Sequence, residues 1–501
     1  MIVFWLSGIY IGAVAGIAIF GMLGLVTIWF YWRHRHDSFP CPDVPDNELP
    51  FVTVQLPIYN ERLVVERLIE SVANLDYPAD RLQIQILDDS TDSTTEIATA
   101  LANRIRGQGI DIDLRHRCER LGFKAGALEA GLVDAKGEFI VVFDADFVPK
   151  PNYLRQTIPH FLSEPELGMI QARWGHLNRR ESALTAAQTI ALDKHFVMEQ
   201  SVRHRANLFP KFNGSAGIWR RRCLEDAGGW EDDTVCEDLC LSTRAILRGW
   251  QFRYLNGVVA PAELPRTISA YKNQQSRWAK GSTQCLVKFG PSILTTRRHS
   301  PIARVYALIS MAGYTTHLLM LLLLLVQVPL IYLGYKPPAI LLLFGLASLA
   351  QPLLFVYGQH SLYGDWLSRL RYMPALLLIA IGLAPSNSRA IMEAIGRRPN
   401  DFVRTPKGNA NEGYDVGGKS TLPTYRLPFD WIVCIELLLM LYAFLGLIVS
   451  IEKANYWPIL FMSACILGFG YVAMATIKEQ VERIPGAVRS HQGIVDTVSR
   501  H

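Results

Sequence analysis

The chain has 501 residues, half of them hydrophobic, a formal net charge of +5 at pH 7 and a mean hydropathy of +0.16. The charge is too small to argue for a nucleic-acid partner, and the hydropathy is high for a purely soluble protein. The eight cysteines form no CxxC pair and no His/Cys cluster. Cys236 and Cys240 have helical spacing, but free thiols in a reducing compartment explain the set better than a metal site.

In chain order, residues 5–31 come first: uncharged, long enough to span a bilayer, and followed directly by "WRHRH". No basic segment precedes them and no small-residue cleavage site ends them, so they read as a retained anchor with its C-terminal end in the cytoplasm. Further candidate spans cover about 304–333, 338–357, 430–451 and 456–477. The apolar run Met373–Ala384 is about a dozen residues long and turns polar at "PSNSR", which suits an interfacial helix better than a span. About five spans also keep the basic segment 358–428 and the C-terminal tail on the side of the anchor's basic flank. The expected domains are an anchor at 1–44, a cytoplasmic catalytic domain at 45–290 and a transmembrane hairpin at 291–370. An interfacial helix and loop follow at 371–428, then two last helices and a tail at 429–501.

Between about Phe51 and Leu286 the chain alternates strand and helix. "FVTVQLPIY", "LQIQILDD", "IDLRHR" and "EFIVVFDAD" read as strands; "ERLVVERLIESVANL", "STTEIATALANRIR" and "KAGALEAGLVDA" read as helices. Such alternation implies a parallel α/β sheet with right-handed crossovers. Ligands in such sheets bind beyond the carboxyl ends of the strands. Pro57–Glu61, Asp88–Ser90 and Asp144–Asp146 fall at those ends, so their acidic groups should share one crevice.

Each acidic motif has a plain reading beside a functional one. Asp144–Ala145–Asp146 is either a solvated turn or a site for Mg²⁺ or Mn²⁺, which take carboxylates together with phosphate oxygens. On an extended stretch both side chains would point the same way. "VCEDLCL" puts Glu237 and Asp238 at a helix start, where the dipole favours them, or where one serves as a general base. In "QQSRWAKGS", Gln274, Arg277 and Trp278 share a helix face. The arginine suits phosphate oxygens and the tryptophan a sugar ring, or both belong to a helix at the membrane surface.

Taken together and in this order, the motifs resemble those of processive family 2 glycosyltransferases of cellulose synthase type. The D, DxD, (T/E)ED and QxxRW signature stands here as Asp89 in "LDDS", "DAD", "CED" and "QQSRW". "VQLPIYNER", "GFKAGAL", "QARW", "FNGSAGIWR" and "AGGWEDDTVCED" are most similar to plant cellulose-synthase-like A and C proteins, which make mannan and glucan backbones, and to their bacterial relatives.

The resemblance implies a GT-A domain using a nucleotide sugar and a divalent cation. It implies that Tyr59, Glu61 and Asp89 hold base and ribose, and that Lys124 lies near the phosphates. Asp144 and Asp146 hold diphosphate and metal, Arg277 binds diphosphate, and Asp238, next to Glu237, is the base. Trp278 stacks on the acceptor, with Gln274 and the loop Phe212, Asn213, Gly214 and Ser215 beside it. That loop departs from the FFCGS of many cellulose synthases by an asparagine for the cysteine, and Cys236 stands where they have threonine. "DFVRTPKG" is similar to their gating loop through Phe402, Thr405 and Lys407, with Arg404 in place of a valine, or it is a basic juxtamembrane tether.

The expected protein is an inner-membrane, inverting, processive β-glycosyltransferase that passes its polymer between the membrane helices. UDP-glucose is favoured as donor and GDP-mannose comes next. Its partners are the donor, the growing polysaccharide and the bilayer, with accessory export subunits as a further implication. A glycolipid synthase adding one sugar to a lipid is the second reading. A non-catalytic membrane carrier or scaffold is the third, and the intact acidic constellation argues against it.

Overall fold

A computed structural model describes residues 1–37, 39–398 and 430–481. Seven strands form one sheet: β1 (Val52–Ile58), β2 (Leu82–Asp88), β3 (Asp111–His116), β4 (Phe139–Val142), β5 (Leu167–His176), β6 (Gly217–Arg220) and β7 (Gln251–Ala262). Their order is β3-β2-β1-β4-β6-β5-β7. The first four are parallel, as the strand–helix alternation requires. β6 runs antiparallel to both β4 and β5, so the sheet is mixed rather than uniformly parallel. Between β5 and β6 the chain passes through the helical segments Ala183–Asp193, Lys194–Gln200 and Ser201–Arg205 before a final loop.

The central strands β1, β2 and β4 are buried on both faces, while β3 at the edge is buried only in part. Val52, Val54 and Leu56 of β1 face a cluster with Leu68 and Ile69, while Ile140 and Val142 of β4 face another with Leu128 and Trp219. Register aligns Ile58 with Asp88 and Asp88 with His116 at one edge. The segments after β1, β2 and β3 therefore leave the sheet side by side.

Helix ends are shorter than the apolar periodicity suggests. "ERLVVERLIESVANL" is helical only over Val65–Ala73, because Glu61–Val64 forms a turn closed by the Val64 and Val65 N–H groups on the Glu61 carbonyl. The helix after β2 begins at Thr94, whose N–H donates to Asp92 Oδ1 at 2.9 Å.

Among the described residues, five helices are long and apolar enough to cross a membrane: Ile2–His34, Thr315–Tyr332, Leu341–Leu362, Ile432–Glu452 and Ile459–Val481. The expected span at 304–333 is two helices, Pro301–Met311 and Thr315–Tyr332, parted at Ala312–Tyr314. Glycines let the first helix approach closely. A β-carbon at Gly21 would lie 2.5 Å from the Ala347 carbonyl oxygen.

The expected interfacial segment extends beyond its apolar run. Met373–Gly382 is helical, but "PSNSR" does not end it; it opens a second helix, Ala384–Ile395, bent by 44°. The pair passes the same length and composition test as one broken span, giving up to six crossings among the described residues. Packing explains both halves. Leu376 and Ile379 meet Leu184, Ile190 and Val472, whereas Ser386 and Asn387 turn inward to meet polar groups. Ser386 Oγ lies 2.6 Å from Ser276 Oγ, and Asn387 contacts His317.

Candidate active site

The crevice lies beyond the carboxyl ends of β1, β2 and β4 and encloses about 230 Å³. Tyr59, Glu61, Asp89, Lys124, Asp144, Asp146, Asn213, Gly214, Glu237, Asp238, Gln274, Arg277 and Trp278 all line it. Residues spread over more than two hundred positions of sequence thus meet in one cavity.

The two aspartates of "LDDS" divide their work. Asp88 ends β2 and is fully buried; it accepts hydrogen bonds from the Ser90 N–H (2.9 Å) and the Thr95 hydroxyl (2.6 Å), and lies 2.9 Å from His116 Nδ1. It holds the turn. Asp89 faces the crevice, and both its oxygens accept from Arg117, each at 2.7 Å. Such a fork fixes the carboxylate plane. Arg120 lies 3.7 Å from Asp89 and stacks its guanidinium 3.5 Å from the centre of the Tyr59 ring. Neither arginine is singled out by the sequence motifs. The available signal is topological: β3 lies next to β2, so the residues just after it belong to the same rim.

Asn60, with φ of +56°, ties the first two rim loops together. Its N–H donates to Ser90 Oγ (2.8 Å), and its Oδ1 accepts from the Thr91 N–H (2.7 Å).

Asp144 and Asp146 do not lie on an extended stretch. β4 ends at Val142, and Asp144–Phe147 is a turn closed by the Phe147 N–H on the Asp144 carbonyl at 3.1 Å. The alternation argument fails, yet both residues still line the crevice. Asp144 is about a third exposed and Asp146 is buried. Lys124 Nζ donates to Asp144 Oδ1 (2.6 Å) and the Gly214 carbonyl (2.8 Å), and lies 3.7 Å from Glu237 Oε1. Burial alone would lower the Lys124 pKa; the carboxylates of Asp144 and Glu237 outweigh it and raise the pKa. Among hard carboxylate oxygens, an ammonium already fills part of the space that suits a divalent cation.

Glu237 and Asp238 open the helix Glu237–Arg248, which ends on Gly249 at φ of +103°. Burial, then the neighbouring Glu237 charge, pushes the Asp238 carboxyl up to about 7. Gly214, with φ of +84°, approaches so closely that a β-carbon there would sit 3.2 Å from Asp238 Oδ2. Cys236 caps no backbone group with its side chain; it packs on Gly281, and burial raises its thiol pKa well above the ordinary value. Cys240 sits with Glu231 and Asp233 in a cluster of metal-like spacing, but Lys288 Nζ reaches both carboxylates, at 2.7 and 2.5 Å.

Two residues expected at the acceptor are elsewhere. Phe212 is buried against Trp219 and Trp230, with ring centres 5.5 and 6.2 Å apart, and anchors its loop. Ser215 is fully buried; its hydroxyl accepts the Asp144 N–H at 2.9 Å, and its carbonyl accepts from Trp174 Nε1 at 3.1 Å. It steadies the Asp144 turn and does not form the crevice wall. Thr405 and Lys407 lie outside the described residues, as do Phe402 and Arg404.

Gln274, Arg277 and Trp278 stand on the long helix Ile268–Thr295. Its first turn is held by the apolar helix Ile459–Val481: Glu479 accepts from the Ile268 N–H (2.6 Å), the Ser269 N–H (3.0 Å) and the Ser269 hydroxyl (2.5 Å). A carboxylate there satisfies orphan donors and complements the helix dipole. One turn on, buried Lys272 Nζ lies 2.6 Å from Glu436 Oε1 and 2.8 Å from Asp430 Oδ2.

A mixed, mostly parallel sheet with this crevice at the strand ends is a GT-A fold. The mannosyltransferase PcManGT from Pyrobaculum calidifontis, solved with GDP-Man and Mn²⁺, superposes with a TM-score of 0.53 at 21% identity, covering 79% of this chain and all of that one. Residues 50–281 match the family model described as glycosyltransferase like family 2. Glucomannan 4-beta-mannosyltransferase 2 of Arabidopsis thaliana is 38% identical over 296 residues, 57% of this chain and 55% of that protein. Glucomannan 4-beta-mannosyltransferase 1 of Oryza sativa subsp. japonica is 39% identical over 272 residues, 53% of this chain and 52% of that one. The chain thus spans about half the length of the curated relatives it matches.

Proposed function

We propose that the chain is a membrane-embedded, inverting β-hexosyltransferase that extends a mannan or glucan backbone. The observation that carries this reading is Asp238: a half-buried carboxylate with its pKa raised to about 7, in one crevice with Lys124, Asp144 and Trp278. A base with that pKa can take a proton from an acceptor hydroxyl at neutral pH. The deprotonated oxygen attacks the anomeric carbon from the side opposite the leaving diphosphate, so an α-linked donor gives a β link.

Tyr59, Glu61 and Asp89 are assigned to the base and ribose of the donor, with Arg117 fixing Asp89. Lys124 and Arg277 are assigned to the diphosphate, and Trp278 and Gln274 to the acceptor. Asp144 and Asp146 fit a hard divalent cation, Mg²⁺ or Mn²⁺. When bound, it would neutralise charge on the diphosphate leaving group. The names of the curated relatives favour a mannosyl donor. GDP-mannose therefore comes first and UDP-glucose second, the reverse of the order suggested by the motifs alone.

Trp278 and the membrane helices favour a polymer over a single-sugar glycolipid. The inner (plasma) membrane, with the catalytic domain in the cytoplasm, is the proposed location. Accessory export subunits and a gating role for Thr405 and Lys407 rest on the resemblance alone. The test is to incubate the purified protein separately with GDP-mannose, UDP-glucose and UDP-N-acetylglucosamine, then digest any product with linkage-specific hydrolases. A single-sugar lipid product, or none from any donor, would refute the proposal.

A further inference from the structure

The helix Ile268–Thr295 presents Gln274, Arg277 and Trp278 to the crevice. At about 100° per residue, Lys272 and Ser276 stand on roughly the opposite side of that helix. This far side is polar, yet it is packed. Buried Lys272 Nζ lies 2.6 Å from Glu436 Oε1 and 2.8 Å from Asp430 Oδ2. Ser276 Oγ lies 2.6 Å from Ser386 Oγ, and Ala279 packs on Ala390 and Ile391. Lys280 Nζ lies 3.8 Å from Glu393 Oε2, and Arg389 Nη1 lies 3.8 Å from Asp430 Oδ1.

Glu436 is fully buried on Ile432–Glu452, one of the helices long and apolar enough to cross a membrane. A carboxylate in such a place is costly unless it is paired. Apolar side chains of like volume would hold the two helices together as well or better. What the ion pair adds is discrimination between arrangements. Apolar surfaces can slide at small cost, whereas a buried carboxylate that loses its cation is strongly disfavoured. Moving the helix Ile268–Thr295 by one residue shifts it about 1.5 Å and turns it about 100°. Lys272 would then leave Glu436, and Arg277 would turn out of the crevice in the same motion. Fewer than two turns of one helix separate the two side chains, so neither can rotate without the other.

We propose that Lys272 and Glu436 are positioning residues: their buried ion pair sets the rotation of the helix Ile268–Thr295 and so holds Arg277 in the crevice. The proposal rests on the glycosyltransferase reading above, in which Arg277 meets the diphosphate. Neither Lys272 nor Glu436 lines the crevice, so both act through the helix.

The test uses the full-length protein in detergent or nanodiscs, with whichever of GDP-mannose and UDP-glucose the parent transfers. The paired variant Lys272→Met with Glu436→Leu removes both charges and strands neither. Its melting temperature should be parental or higher. Its kcat/KM should fall by between about tenfold and 10²-fold, the cost of a misplaced binding group. In an Arg277→Ala background the same pair of changes should cause no further loss, because the arginine they aim is already gone. If the paired variant does not fold, Glu436→Asp replaces it, with the carboxylate held one methylene short of Lys272 and the same expectations. Parental transfer in the folded variant would overturn the proposal while leaving the glycosyltransferase reading intact. So would a loss that appears only with a lowered melting temperature, or an equal further loss in Arg277→Ala. Absence of transfer by the parent with every donor would overturn both.

Discussion

Lys124 Nζ and Asp144 Oδ1 are 2.6 Å apart, and the ammonium is shared with the Gly214 carbonyl and Glu237. Its charge also lowers the pKa of Asp238, against the larger upward effects of burial and Glu237. Replacing Lys124 by methionine keeps the stem and removes the charge. The Asp238 pKa should then rise further, moving the acid limb of the kcat/KM profile above about 7. An unmoved acid limb in Lys124→Met would separate the lysine from the base.

Asp238→Asn should lower sugar transfer by about 10² to 10⁴, the usual contribution of a general base, while leaving nucleotide binding intact. Stability should change in the opposite sense. A carboxyl raised from 3.8 to about 7 binds its proton more tightly in the folded state. Its contribution therefore weakens as pH rises through that interval and is least favourable above 7. In the ligand-free protein at pH 8, the neutral asparagine should unfold at a higher temperature than the parent. Calorimetry at pH 5 and pH 8 checks the sign: the gain should be smaller at pH 5.

Asp144 and Asp146 should make transfer depend on Mg²⁺ or Mn²⁺. EDTA should abolish it, and added metal should restore it. Asp146→Asn should weaken Mn²⁺ binding to the nucleotide-bound protein in calorimetry. Full transfer in EDTA, with metal removal confirmed by elemental analysis, would dismiss the assignment.

The charge pattern predicts that the catalytic domain, the 358–428 segment and the tail share the cytoplasmic side. Single cysteines at Gly364, Ala410 and Gln492 should resist an impermeant thiol reagent in intact cells. The bent pair Trp366–Gly382 and Ala384–Ile395 makes Ala410 the deciding position. Labelling there from outside would mean that the pair crosses the bilayer.

The acidic motifs were legible because each follows a strand or starts a helix, where apolar runs stop abruptly at charge. Asp89, Asp144, Asp146 and Asp238 reach one crevice for that reason. The roles of Phe212 and Ser215 were not legible, since a four-residue loop gives no sign of which side chains turn inward. Arg117 was hidden because its partner Asp89 is 28 residues earlier, and only the β2–β3 pairing brings them together. The apolar run Met373–Gly382 was visible, but not its continuation past Pro385: proline is common both in the first turn of a helix and just beyond the end of one, so it does not say which it marks.

The hydrogen bond from Ile268 to Glu479 joins residues 211 apart. Ribosomes deliver a chain from its N-terminus, so the helix bearing Arg277 and Trp278 is made long before the carboxylate that caps it. During synthesis its first-turn donors must be met by water or left strained. That wall of the crevice reaches its final form only when the helix Ile459–Val481 is in place. A nascent or truncated chain holding every one of these motifs would still lack this support, which makes placement of the helix Ile459–Val481 a late step in completing the crevice.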